Sequence, residues 1–273
     1  MELTVNLKWP AALTDPSGRR FGKPRSEGIT MVIDKGLGPH AFEDLMATAS
    51  DYIDILKFGF GTSPLYPAAV IRDKIELAKR KHITVIPGGT LLETAVAKDM
   101  VPAFFRHILA LGFDGVEVSD GTIELPRSRR SELIRQASEL GLKVFTEYGK
   151  KIFGSRIDVL DFAQTAQEDF AAGANLVTVE ARESGVGVGL FDERGACREQ
   201  DLTEMLKVIP NRGRVLWEAP LKEQQVALIK SVGPEVNLGN IPVQDVLALE
   251  TMRRGLRSDT FELNSRSLSD YVI

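Results

Sequence analysis

Four glutamates, Glu117, Glu147, Glu180 and Glu218, each stand at the end of a β-prone apolar run. Lysines recur in the same place at Lys35, Lys57 and Lys150. Burying an ionised group is expensive unless it is paired or binds something. Four carboxylates brought together cannot all be buried and ionised without cations. Two kinds of cation meet that need. A hard metal ion, Mg2+ before others, takes carboxylate oxygens and would satisfy two or three of the four. The lysines would neutralise the rest or bind an anionic substrate. The run at 176–182 shows the pattern. An extended chain alternates its faces, so Thr178, Glu180 and Arg182 share one side, and Val177, Val179 and Ala181 the other. The expected occupant is a small, strongly anionic molecule held through metal and lysine.

Glycine-rich turns point the same way. FGFGTS at 58–63, PGGT at 87–90 and NLGN at 237–240 each follow an apolar run. Glycine lets backbone amides approach a phosphate closely. Other candidates are bland. His40, His82 and His107 fall at helix starts or on helices, and Cys197 lies in a polar loop without a partner nearby. Arg127, Arg129 and Arg130 make a basic helix start against the helix dipole, expected as an exposed face. The glycines at 185–189 suggest a flap more than a nucleotide loop.

The elements that must position these residues repeat as a unit. Apolar, β-branched runs at 28–34, 52–59, 83–89, 115–121, 143–149, 176–182, 215–220 and 236–240 alternate with helical patterns. The helices are expected at 40–50, 66–81, 101–111, 128–140, 157–172, 202–209, 223–232 and 243–253. Gly141 reads as a helix stop and Pro242 as a first helical residue. Strands separated by helices run parallel. Eight such units make a (β/α)8 TIM barrel the expected fold, as a single domain over 28–255. An arm at 1–27, with Arg19, Arg20, Lys23 and Arg25, precedes it, and a polar tail at 256–273 follows. The competing fold is an open doubly wound sheet. The turn DKGLGP at 34–39 argues against it, because it is not a dinucleotide fingerprint. In a barrel the polar strand ends gather at one rim, where such folds place their active sites.

Composition sets outer limits. The chain has 273 residues, 43% hydrophobic and 26% charged, with net charge −4, so no global basic field invites nucleic acid or an anionic membrane. One cysteine excludes an internal disulfide framework and suits a reducing compartment. No apolar run reaches membrane-spanning length. The expectation is a cytoplasmic protein.

The motifs at 23–36, 51–63 and 87–90, EVSDGT at 117–122, EYGKK at 147–151, EARESG at 180–185, EAP at 218–220 and NLGNI at 237–241 together resemble the phosphosulfolactate synthase family. The resemblance covers about residues 23–260. It implies a (β/α)8 barrel, a Mg2+ requirement and a homo-oligomer, with a trimer as its state. The implied activity is addition of sulfite to phosphoenolpyruvate, giving (2R)-3-phosphosulfolactate, a carbon–sulfur lyase chemistry of coenzyme M biosynthesis. On that reading Lys150 is the expected proton donor, with Lys151 the close alternative and Glu147 beside them. Glu147, Glu180 and Glu218 are the candidate metal ligands. Lys35, Lys57, Arg182 and the backbone at Gly89, Thr90, Gly239 and Asn240 would hold phosphate or sulfite. Phe60, Ile86 and Tyr148 depart from the family pattern and are expected near the pocket. Family membership would also admit another small phosphorylated acid as substrate, or a non-catalytic, stress-linked binding protein on the same barrel.

Overall fold

Each of the eight β-prone runs forms a strand: β1 Thr30–Asp34, β2 Ile55–Phe58, β3 Thr84–Pro87, β4 Gly115–Val118, β5 Lys143–Tyr148, β6 Leu176–Val179, β7 Val215–Glu218 and β8 Asn237–Pro242. The structure is a computed structural model and describes residues 8–209 and 211–264. All seven strand pairs are parallel, in the order β3-β2-β1-β8-β7-β6-β5-β4. The two end strands nearly close the ring. The Val85 amide donates to Asp114 Oδ2 and the Asp114 amide donates to Val85 O, both at 3.0 Å.

Helices wrap this barrel: α1 Ala11–Thr14, α2 Pro39–Ala49, α3 Ala68–Arg80, α4 Gly89–Ala97, α5 Val101–Leu111, α6 Arg127–Glu139, α7 Val159–Ala172, α8 Glu199–Val208, α9 Lys222–Val232 and α10 Val246–Arg253. Side chains such as Val32, Leu56, Val116 and Val144 point outward into the main core under these helices. Ile29, Met31, Ile55, Ile86, Phe145, Leu176 and Leu216 fill the lower barrel interior. Strand side chains repeat with period two. The residues two places beyond Ile55, Phe145 and Leu216 therefore also point inward, one layer higher. They are Lys57, Glu147 and Glu218, all buried.

Three local expectations change. The turn at 87–90 opens a helix, since Gly88 caps α4 and Gly89 is its first residue. Two helices, not one, therefore link β3 to β4. Pro242 ends β8 instead of starting a helix; a 3-10 turn, Val243–Asp245, precedes α10. Arg130 on α6 is buried, not exposed. Its guanidinium donates to Asp169 Oδ1 and Oδ2 at 2.7 to 3.2 Å, to Asp120 Oδ1 at 3.2 Å and to Glu147 O at 3.0 Å.

The arm's cations fasten it to the barrel. Lys23 Nζ donates to three carbonyls, of Ser50, Ile53 and Lys81, and Arg20 pairs with Glu250 at 3.0 Å. Residues 1–7 of the arm and 265–273 of the tail lie outside the described residues. No helix among the described residues is long and apolar enough to cross a membrane.

Candidate active site

The inward polar layer forms the floor of a cavity of about 410 Å³ at the C-terminal ends of the strands. Lys57 sits at its centre. Its Nζ donates to Glu117 Oε1 and Glu218 Oε1, both at 3.1 Å, and lies 4.0 Å from Glu147 Oε2. The outer oxygens of the first two glutamates are also held: Glu117 Oε2 accepts the Gly89 amide at 2.8 Å, and Glu218 Oε2 accepts the Ala181 amide at 3.1 Å. Lys151 Nζ lies 2.8 Å from Glu147 Oε1 and 3.4 Å from Glu180 Oε2. Neither of those two oxygens has an aligned hydrogen bond, although both are buried. Glu147, Glu180 and Glu218 each bring an oxygen within 4.8 Å of the others.

These distances decide the charges. Burial disfavours ionised Glu147, but Lys151, a hydrogen bond with the Glu180 carboxyl, and Lys57 outweigh it and hold Glu147 down to about 2. Glu180 goes the other way. Burial and then the charges of Glu147 and Glu218 push it well above the ordinary carboxylate range. Within this pair Glu180 is therefore the carboxyl that holds a proton more readily. Burial also raises Glu117. Burial disfavours the ammonium of Lys57, but Glu117, Glu218 and Glu147 override it; for Lys151, Glu147 and Glu180 do the same, so both lysines stay charged.

Most of the expected site residues meet here. Lys57, Glu147, Glu180, Glu218, Gly89, Thr90, Arg182 and Asn240 line the cavity. Arg182 is exposed at the rim and makes no ion pair among the described residues. Asn240 is placed by an irregularity. Thr30 faces Leu238 while Val32 faces Ile241, so β8 carries one extra residue there. Such a bulge re-aims side chains. Asn240 absorbs it with φ of 53° and presents a buried Oδ1 without a hydrogen-bond partner.

Others do not arrive. Of the two adjacent lysines it is Lys151 that enters the cavity. Lys150 turns to the neighbouring β4–α6 loop and donates to Asp120 O at 2.8 Å, Asp120 Oδ2 at 3.1 Å and Ile123 O at 3.2 Å. The Gly89 amide is taken by Glu117. Gly239 is a packing residue: a Cβ there would lie 2.2 Å from Leu216 Cδ2 and 2.8 Å from Met31 Cε. Lys35 is exposed, 3.5 Å from Glu183. Of the three departures from the family pattern, Phe60 lines the cavity. Ile86 belongs to the apolar layer below, and Tyr148 packs outside on Phe162 and donates to Asp161. The loop of glycines is tied down, Gly187 O accepting the Gly154 amide at 2.7 Å and Gly185 O accepting Gln224 Nε2 at 2.6 Å.

Sequence reasoning missed Thr122, which lines the cavity, and Glu93, a buried carboxylate on α4. Thr122 could have been found, because it closes the motif at 117–122. A larger groove of about 550 Å³ lies among α3, α4 and α5, lined mainly by apolar chains such as Ile71, Phe104 and Ile108. None of its lining residues is a buried ionisable group, in contrast to the cavity at the barrel mouth.

The sequence model of the family described as (2R)-phospho-3-sulfolactate synthase (ComA) matches residues 18–259. The phosphosulfolactate synthase of Methanothermobacter thermautotrophicus is 44% identical over 250 residues, covering 91% of this chain and 95% of that one. That of Methanocaldococcus jannaschii is 43% identical over 236 residues, covering 86% and 94%. Among solved structures, the YdjI aldolase of Escherichia coli K12 superposes with a TM-score of 0.53 over 88% of this chain and 89% of its own. At 10% identity that likeness concerns the fold alone.

Proposed function

The chain belongs to the (2R)-phospho-3-sulfolactate synthase family, and from that premise we propose that it catalyses the Mg2+-dependent addition of sulfite to phosphoenolpyruvate, a carbon–sulfur lyase reaction. The carrying observation is the trio Glu147, Glu180 and Glu218, each of which brings a carboxylate oxygen within 4.8 Å of the others. Hard oxygen donors of this kind fit Mg2+. The charge balance argues likewise. Four carboxyls face two ammoniums on the cavity floor, an excess of acidic groups that a divalent cation would offset before the anions phosphoenolpyruvate and sulfite bind.

In this reading Mg2+, when bound, supplies positive charge where the substrate carboxylate becomes more negative. The chain does the rest. Arg182, unpaired at the rim, and Asn240, whose amide can turn to offer its NH2 group, orient the anionic substituents. Lys57 is committed to Glu117 and Glu218 and keeps the acidic layer in register. The sulfur lone pair of sulfite forms a bond to C3 of phosphoenolpyruvate, and the C2–C3 π electrons move toward the carboxylate. Lys151 Nζ then donates its proton to C2. Lys151 takes this role because its ammonium stands in the cavity, whereas that of Lys150 is fixed to Asp120 and Ile123.

The test is incubation with phosphoenolpyruvate, sulfite and Mg2+ and mass detection of phosphosulfolactate. Product is expected from the wild-type protein and not from Lys151→Ala, which should still bind phosphoenolpyruvate. Near-normal turnover in that variant overturns the acid assignment, and no product from the wild type overturns the reaction.

A further inference from the structure

Glu93 is buried on α4, outside the cavity, and the chemistry above does not use it. Its carboxylate is nonetheless saturated. Oε1 accepts from Ser119 Oγ and from the Gly121 amide at 3.1 Å; Oε2 accepts from the Thr122 amide at 2.9 Å and from Thr122 Oγ1. Four donors converging on one acceptor-only group offset the cost of burying its charge. All four belong to the loop after β4.

That loop touches Lys151 directly. Gly121 O accepts the Lys151 amide at 3.2 Å. A Cβ on Gly121 would lie 2.9 Å from Lys151 Cδ and 3.0 Å from Cε and Cγ. The methylene stem of Lys151 thus lies flat against the bare face of this glycine. Gly121 does not have a positive φ, so the reason for glycine here is the close approach of the lysine. A lysine stem has four rotatable bonds and needs such support to hold its ammonium in one place.

We propose that Glu93 and Gly121 are positioning residues: Glu93 anchors the loop at 119–122, and Gly121 supplies the surface that aims Lys151 at the reacting carbon. This inference rests on the reading of Lys151 as the proton donor. Neither residue touches substrate.

Gly121→Ala is the sharp test, because the three heavy atoms nearest the added methyl all belong to the lysine stem. Misplacing a catalytic group by about 1 Å costs on the order of 100-fold. Gly121→Ala should lower kcat about 10- to 100-fold, with KM for phosphoenolpyruvate and the thermal midpoint unchanged. Glu93→Gln should lower kcat in the same way, because its NH2 group would face the two Thr122 donors. The Lys151→Ala variant is assayed alongside. If Lys151→Ala is inactive while Gly121→Ala turns over within twofold of wild type, the positioning role is overturned and the proton-donor reading stands. If Lys151→Ala retains turnover, the proton-donor reading itself falls. A drop in the thermal midpoint of Gly121→Ala that accounts for its lost activity marks a merely structural glycine and also overturns the proposal.

Discussion

Replacing Glu180 with glutamine tests whether this carboxyl is held protonated in the acidic layer until the proposed cation binds. The oxygens of Glu147, Glu180 and Glu218 lie within 4.8 Å of one another. Two unit charges at that separation repel by about 3.5 kcal/mol at an effective dielectric of about 20. Burial and this repulsion raise Glu180 and favour its protonated form. Glutamine has the same size, is neutral, and can donate to Glu147 as the protonated acid does. Metal-free Glu180→Gln should therefore match the wild type within about 1 kcal/mol at pH 7. Removing one partner of a buried ion pair would instead cost about 3–5 kcal/mol. The pH dependence should also flatten. An acid whose pKa is raised on folding stabilises fully below its unfolded value of 4.5, and that stability is lost as pH rises toward the folded value. In this window the wild type should lose up to about 1.4 kcal/mol per pH unit from the extra proton. The variant should not. Saturating Mg2+ at 100 times its Kd should stabilise the wild type by about 2.7 kcal/mol and the variant far less. Urea unfolding of chelator-treated protein, from pH 6 to 9 with and without MgCl2, reads all three quantities. A metal-free loss of about 3 kcal/mol or more, or an undiminished response to Mg2+, would refute the reasoning.

Lys57→Met leaves Glu117, Glu147 and Glu218 without their shared ammonium and should cost about 3–5 kcal/mol. The loss should shrink between pH 7.5 and 5.5 in urea titrations, as protonation removes the uncompensated charge; a pH-independent loss would point to packing instead. Gly239→Ala places a methyl 2.2 Å from Leu216 Cδ2 and should destabilise by about 1–3 kcal/mol through overpacking. Thermal melting checks this, and an undisturbed midpoint with a raised KM would restore Gly239 as an anion contact.

The barrel was legible because its strands are short, β-branched and separated by helices, and the acidic layer because strand side chains alternate. Ile55 and Lys57, Phe145 and Glu147, Leu216 and Glu218 are each two residues apart, so an apolar floor and a polar layer above it follow from one period. The rule fails where the chain stops being a strand. Gly149, with φ of 127° and its Cα packed against Glu180, breaks the alternation just before Lys150 and Lys151. No periodic argument carries past it to say which lysine turns inward. Arg130 misled for a different reason. Its partner Asp169 lies 39 residues away on the next helix, and nothing local marks the pair. The helix at Gly89–Ala97 was hidden by its two leading glycines, which read as a turn and lack a capping side chain.

The arrangement ties stability to binding. A barrel interior filled to the top with apolar chains would be the more stable solution, since replacing buried ion pairs by well-packed hydrophobes is often neutral or stabilising. Here the upper layer instead holds four carboxyls against two ammoniums, and the excess of acidic groups raises Glu180. Two ways of relieving that excess follow: a proton on Glu180 or a divalent cation. They exclude each other, because a carboxyl that ligates a metal must be ionised. If Mg2+ binds through Glu180 as proposed, its uptake should release a proton into the mouth beside Lys151, where the proposed reaction consumes one at C2.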